Sequence, residues 1–234
     1  MSDTTKYWAV IPAAGVGKRM KADRPKQYLL LGERTVLEQT IGIFSRHPRI
    51  AGIVVVVTAG DPYWEELRVD VSVPLLVADG GTERCHSVLN GLELLQQHAS
   101  DSDWVLVHDA ARPCLRRQDI DHLIDTLNED NVGGILAIPV RDTMKRDDGA
   151  GRIAGTEERN GMWHALTPQM FPLGLLRGAL QQALADGFEV TDEASALEHA
   201  GLKPKLVEGH ADNIKITRPE DLALAEFFLH QLRG

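Results

Sequence analysis

The chain reads as an α/β protein: a doubly wound, mostly parallel sheet with a projecting β-arm. Three observations predict this. Apolar runs of strand length alternate with amphipathic stretches of helix length. One run, Ile53-Val54-Val55-Val56-Val57, is unbroken Ile and Val, as a strand buried on both faces requires. The alternation then stops over a charged, Gly-punctuated stretch, Arg141 to Asn160, and resumes beyond it.

Taken in order, Tyr7 to Ile11 joins an aromatic to β-branched residues and forms the first strand. Thr35 sits three residues before Glu38, a capping box, and Val36, Leu37, Thr40, Ile41 and Phe44 suit the helix it starts. Ile53 to Val57 is the second strand, and Asp61-Pro62 opens a short helix with proline near its first position. Leu75 to Val77 is a third strand, ending in Ala78-Asp79-Gly80-Gly81. The helix beyond it carries Cys85, Val88, Leu89, Leu92 and Leu95 at helical spacing. Trp104 to Val107 is a strand ending at His108-Asp109, Asp119 to Leu127 a helix, and Gly134 to Val140 a strand. Asp148-Gly149 is a hairpin turn signal, which makes an arm of a stretch otherwise readable as a surface loop. Helices follow from Pro172 to a stop at Gly187 and from Thr191 to His199. Lys205 to Val207 and Ile214 to Ile216 are the last strands. A second capping box, Thr217 to Glu220, starts a helix with Leu222, Ala225, Phe228 and Leu229 inward. No repeat or linker divides residues 1–234, so one domain is expected, with 139–161 as the arm.

Composition narrows the partners. At 234 residues and 43% hydrophobic, the chain can bury an ample core. No apolar run nears the roughly 20 residues of a membrane span. The start, Met-Ser-Asp-Thr-Thr-Lys, lacks the pattern of a signal peptide, so a cytoplasmic location is expected. Cys85 and Cys114 form no disulfide framework and no zinc spacing. A net charge of -9 argues against a nucleic-acid polymer as partner. A single nucleotide needs only a local basic pocket.

Such a pocket is offered by Ile11 to Gln27. Lys18, Arg19, Lys21, Arg24 and Lys26 fall there, against the global balance, beside the small residues Ala13, Ala14, Gly15 and Gly17. A turn of small residues lets backbone N–H groups approach a polyphosphate, and the cations neutralise it. Two familiar phosphate motifs are excluded. A dinucleotide fingerprint needs a third Gly where Met20 stands; a Walker A loop needs Ser or Thr where Arg19 stands and Gly where Pro12 stands.

Asp109 ends a strand and begins Asp-Ala-Ala-Arg-Pro. Its carboxylate can hold a metal or orient a hydroxyl. Arg112 can grip a phosphate, or pair with Asp109 to brace the loop. His108 is read as a packed or hydrogen-bonded histidine, and Trp163-His164 as aromatic packing. His86 and Ser87, adjacent on a helix, make no base–nucleophile pair. There is no His-Glu-x-x-His and no cluster of metal ligands. Lys215 stands as a lone cation.

Ala-Ala-Gly-x-Gly-x-Arg-Met followed by Pro-Lys-Gln, residues 13–20 and 25–27, resembles the opening of the sugar-phosphate nucleotidyltransferases. The later segments narrow it: Asp79-Gly80-Gly81, Arg84, Ser87-Val88, His108 to Pro113, Pro139 to Lys145, Arg159-Asn160, Trp163 to Gln169, Thr191 to Ala194, and Asn213 to Asp221. Together they resemble, over nearly the whole chain, the 2-C-methyl-D-erythritol 4-phosphate cytidylyltransferase family of non-mevalonate isoprenoid synthesis.

The resemblance implies a Rossmann-like nucleotidyltransferase fold and a Mg2+-dependent transfer of CMP from CTP to methylerythritol phosphate, releasing pyrophosphate. It implies a homodimer with exchanged arms. An anionic phosphate attacking an anionic phosphorus meets repulsion and misalignment, so positioning and electrostatics carry catalysis without a strong base. By matching positions, Arg19 and Lys26 stabilise the transition state, and Arg159 and Lys215 place the attacking phosphate. Ala13, Ala14, Gly15, Gly17, Gly80, Gly81 and Ser87 match the nucleotide site. Asp109, Arg112, Thr143, Arg159, Thr167 and Lys215 match the acceptor site, Thr143 and Arg159 from the arm, which serves either its own chain's site or a partner's. Magnesium would ride on the CTP phosphates, with Asp109 near it.

Three rivals stand beside this reading: a cytidylyltransferase for another polyol phosphate such as ribitol 5-phosphate, a non-catalytic nucleotide-binding module, and a GT-A glycosyltransferase. The last would carry Asp-x-Asp after a central strand, whereas Asp101-Ser102-Asp103 precedes its strand.

Overall fold

The computed structural model describes residues 5–15, 20 and 23–233. Its strands are β1 (Tyr7–Pro12), β2 (Leu30–Leu31), β3 (Arg34–Thr35), β4 (Ile50–Val57), β5 (Leu75–Asp79), β6 (Trp104–Val107), β7 (Gly134–Pro139), β8 (Met144–Asp147), β9 (Ile153–Glu157), β10 (Trp163–Pro172) and β11 (Lys205–Glu208). Its helices are α1 (Val36–Ser45), α2 (Pro62–Glu66), α3 (Arg84–Leu95), α4 (Arg117–Leu127), α5 (Leu173–Ala185), α6 (Glu193–His199) and α7 (Glu220–Arg233).

Seven strands form the central sheet in the order β11-β7-β10-β6-β1-β4-β5. β4, β5 and β6 join β1 in a parallel block, and β11 runs parallel to β7. β10 is antiparallel to both its neighbours, β6 and β7. The unbroken Ile–Val run of β4 is explained by its two covered faces. Ile53, Val55 and Val57 pack with Leu37, Ile41 and Phe44 of α1 and with Ile120, Leu123 and Ile124 of α4. Val54 and Val56 pack with Val88 and Leu92 of α3 and with Leu176 and Leu180 of α5. Fully burying each such side chain contributes about 1.5–3 kcal/mol. The helices start where the local chemistry directs. Thr35 caps α1, its hydroxyl accepting from Glu38 N at 3.2 Å while Thr35 N donates to Glu38 Oε2 at 2.7 Å.

The charged stretch folds as expected, β8 and β9 pairing antiparallel in a sheet of their own. Asp147 and Asp148 carboxylates accept four backbone N–H groups across the turn. Gly149 and Gly151 take positive φ there, at 86° and 80°.

Three expectations are corrected. Trp163 packs against the core as read, but His164 is exposed, and the pair opens a ten-residue strand, β10. Two prolines, Pro168 and Pro172, mask the strand in sequence. Ile214 to Ile216 joins no sheet; Ile216 N makes one loop contact, to Ala111 O at 2.9 Å. The last helix is capped from Asp221, not Glu220: Asp221 Oδ2 accepts from Thr217 N, Thr217 Oγ1 and Arg218 N.

Candidate active site

The carboxyl ends of β1, β4, β5 and β6 open on one edge of the sheet, where doubly wound folds bind ligands. A cavity of about 390 Å3 lies there. Its first wall is the turn after β1. Ala13 N donates to Val56 O at 2.7 Å, extending the ladder by one step. Gln27, buried beneath, donates from Nε2 to Ala13 O at 2.6 Å and to Gly15 O at 3.0 Å. Gln27 lies in a 3-10 turn, Lys26–Tyr28, anchored by Tyr28 Oη donating to Asp61 Oδ2 at 2.8 Å. Burial, then the hydrogen bond and charge of Asp61, push the Tyr28 hydroxyl well above its ordinary pKa, so this anchor stays neutral.

The facing wall is the turn between β5 and α3. A Cβ on Gly80 would fall 2.3 Å from Ala14 Cβ, and one on Gly81 2.3 Å from His86 Cβ. Both glycines are therefore required by close approach of backbone. The Ser87 hydroxyl accepts from Gly81 N at 3.0 Å and donates to Glu83 O at 3.1 Å, locking the turn. Ala13, Ala14, Gly15, Gly81 and Ser87 all line the cavity, and Gly80 sits directly behind it.

Charge gathers on the third side. Asp109, at the end of β6, is 7% exposed. Its Oδ2 meets Lys215 Nζ at 2.8 Å and Arg112 Nε at 3.5 Å; its Oδ1 meets Arg84 Nε at 3.1 Å. Burial alone would raise its pKa. Arg84, Lys215 and Arg112 more than offset that and hold the carboxyl well below its usual range. Lys26 Nζ donates to Ile216 O at 2.9 Å, which sets it beside Lys215 although 190 residues separate donor and acceptor. Lys26, Asp109 and Lys215 thus face one cavity.

Behind Asp109 lies a closed hydrogen-bond chain. His108, fully buried, has Nε2 at 2.9 Å from Arg112 O and Nδ1 at 2.9 Å from Thr167 Oγ1. Burial lowers its pKa to about 4. A neutral ring must donate from Nε2 to the carbonyl, so Nδ1 accepts the Thr167 hydroxyl proton. Thr167 Oγ1 accepts in turn from Asp109 N at 3.2 Å. Arg112 Nη1 donates to Asn213 O at 2.7 Å. Arg112 and Thr167 are therefore buried bracing groups in the free chain, the Asp–Arg pairing named above, and neither lines the cavity.

Thr143 and Arg159 are exposed on the arm, Arg159 Nη1 donating to Arg141 O, and the single chain does not bring them to the cavity. Gly17 and Arg19 lie outside the described residues, as do Lys18 and Lys21. Three residues escaped sequence reasoning: Gln27, Arg84 and Glu193. All three sit within the matched segments, but no local pattern reveals partners so distant. One ligand cluster also escaped it. Glu83, Cys85 and His86 bring ligand atoms within 4.8 Å of one another, with Cys85 Sγ 3.8 Å from His86 Nδ1. A thiol and an imidazole suit softer ions than magnesium.

A turn of small residues thus faces cations gathered around one carboxylate across a single cavity, an arrangement able to hold a polyphosphate. The model of the 2-C-methyl-D-erythritol 4-phosphate cytidylyltransferase family matches residues 7–231, and the chain belongs to that family. A relative of that name from Pseudomonas aeruginosa is 58% identical over 222 residues, 94% of this chain and 95% of its own. One from Pseudomonas putida is 57% identical over 217 residues, covering 92% of each. Among solved structures, a 4-diphosphocytidyl-2C-methyl-D-erythritol synthase superposes with TM-score 0.85 at 40% identity, covering 97% of this chain and all of that one. The cytidylyltransferase of Francisella tularensis gives 0.84 at 35% identity, covering 96% and 100%.

Proposed function

We infer that this chain moves CMP from CTP onto the phosphate of 2-C-methyl-D-erythritol 4-phosphate at the cavity between the β1 and β5 turns, releasing pyrophosphate. Family membership at this identity makes it a cytidylyltransferase of isoprenoid synthesis. The observation that carries the placement is the convergence of Lys26, Lys215 and Asp109 on the small-residue turns. Ala13 to Gly15, Gly80, Gly81 and Ser87 hold the nucleotide, with Gly17 by family pattern. Lys26, and Arg19 by the same pattern, neutralise the phosphates as negative charge builds at the α-phosphorus. Lys215 aims the attacking phosphate, and Asp109 orients Lys215 and the acceptor hydroxyls. Bringing two anions together within cation reach supplies most of the acceleration, so no general base is needed.

The donor set fits a magnesium carried by the triphosphate. Among the described residues lining the cavity the carboxylates are Glu83 and Asp109, and both Asp109 oxygens are paired with cations. A hard cation with few protein ligands keeps its waters and its phosphate oxygens. Bound there, it would supply further charge neutralisation. We propose further that residues 139–161 form a dimerisation arm on a single domain. A pair of chains would exchange these arms and lend Thr143 and Arg159 to each other's sites. Among the described residues no helix is long and apolar enough to cross a membrane, which supports a cytoplasmic location.

The experiment is pyrophosphate release from CTP with each candidate acceptor. Release is expected with methylerythritol phosphate and not with ribitol 5-phosphate. CTP binding without acceptor-dependent release would mark a non-catalytic module. Lys26→Ala and Arg19→Ala are expected to fold and to lose roughly 100- to 1000-fold in turnover. Near-normal turnover in either removes that cation from the mechanism.

A further inference from the structure

We propose that Glu193 is a positioning residue of the acceptor site, fixing the Asp109 carboxylate through Arg84. Glu193 begins α6 and is fully buried. Its two oxygens take both ends of one guanidinium: Arg84 Nη1 donates to Oε1 at 2.6 Å and Nη2 to Oε2 at 3.1 Å. The remaining edge of that guanidinium, Nε, donates to Asp109 Oδ1 at 3.1 Å. Arg84 borders the cavity, yet all three of its nitrogens are committed to these two carboxylates. Three of its five N–H groups are spent on this bracket. With Oδ1 held from this side, Oδ2 is turned to Lys215 at 2.8 Å.

The bracket has a fixed footing. Gln169 of β10, 1% exposed, donates from Nε2 to Asp192 Oδ2 at 2.8 Å and accepts from Ala194 N at 2.9 Å through Oε1. Asp192 caps α6, accepting from Ser195 N at 3.0 Å. The sheet thus seats the first turn of α6, α6 seats Glu193, and Glu193 seats Arg84 against Asp109. Stability alone does not call for this arrangement. Replacing a buried ion pair by apolar side chains of similar volume is often neutral or stabilising, whereas a bidentate guanidinium adds directional control.

The proposal rests on the reading of Asp109 as an acceptor contact, so Asp109→Asn is measured alongside. Three variants are compared by melting temperature and by separate steady-state constants for CTP and methylerythritol phosphate. Glu193→Leu should fold and lose roughly 100-fold in kcat/KM for the acceptor, with a much smaller change in the KM for CTP. Arg84→Met/Glu193→Leu should melt near the parent yet keep that acceptor defect, which a purely structural pair would not. Should Glu193→Leu misfold, the same-shaped Glu193→Gln is read instead, with a loss of about tenfold expected from weakened orientation. Parental acceptor kinetics in a folded Glu193 variant, or in the double variant, overturn the bracket alone. Parental acceptor kinetics in Asp109→Asn overturn the acceptor-site reading and the bracket with it.

Discussion

His108 illustrates how a residue beside the chemistry serves by staying neutral. Its folded pKa of about 4 lies below its ordinary 6.5, so the unfolded chain binds the extra proton first as pH falls. The associated stability is fully present above pH 6.5 and is lost as pH drops through 4. The shift corresponds to about 3 kcal/mol. Melting temperature measured across that window should fall in the parent and fall less in His108→Gln; an equal slope in both would place the titration elsewhere. At this scale the sequence was legible where a residue's character opposed its surroundings. Cations in an acidic chain, with small residues beside them, marked the turn after β1 that the structure places at the cavity. Gln27, Arg84 and Glu193 were silent because their meaning lies in partners. Arg84 and Glu193 stand 109 positions apart, and no spacing rule reaches that far.

Elements were legible where local rules and tertiary packing agree. The box at Thr35 and Glu38 is one such place, and it yields a prediction. Thr35→Ala leaves the first turn of α1 uncapped, at a cost of about 1 kcal/mol. In a chain of this length that lowers the melting temperature by roughly 2–4 °C, measurable by calorimetry, with acceptor kinetics unchanged. β10 was hidden for the opposite reason. Its ladder shifts register between Ala165 and Gln169, the stretch that carries Pro168 and Thr167. The irregularity that spoils the strand pattern is what presents Thr167 to His108 and Asp109. The segment 214–216 pairs with no strand: Ile216 N bonds to Ala111 O in a loop, and Lys215 reaches the cavity. Departures from regular pattern thus collect at the site.

At the scale of the whole molecule, Thr143 and Arg159 stand on the arm, away from the cavity of their own chain. The proposed arm exchange makes a quantitative prediction. In a mixed dimer of Arg159→Ala and Lys26→Ala chains, one site collects both defects and the other is intact. Equal mixing with free exchange should therefore recover roughly a quarter of parental activity. Recovery of none, with mixed dimers verified by mass, would place Arg159 in its own chain's site. The doubly wound, mostly parallel class of the sheet was readable from the strand rhythm, but the order of its strands and which residues meet across it were not. The tie between Lys26 and Ile216 shows why, and it carries a consequence for how the enzyme is made. A turn laid down early is closed by a segment made 190 residues later. A nascent polypeptide still on the ribosome, or a product clipped ahead of its final helix's approach, holds a nearly complete sheet and no working pocket. The pocket can close only once the chain has been made through residue 216.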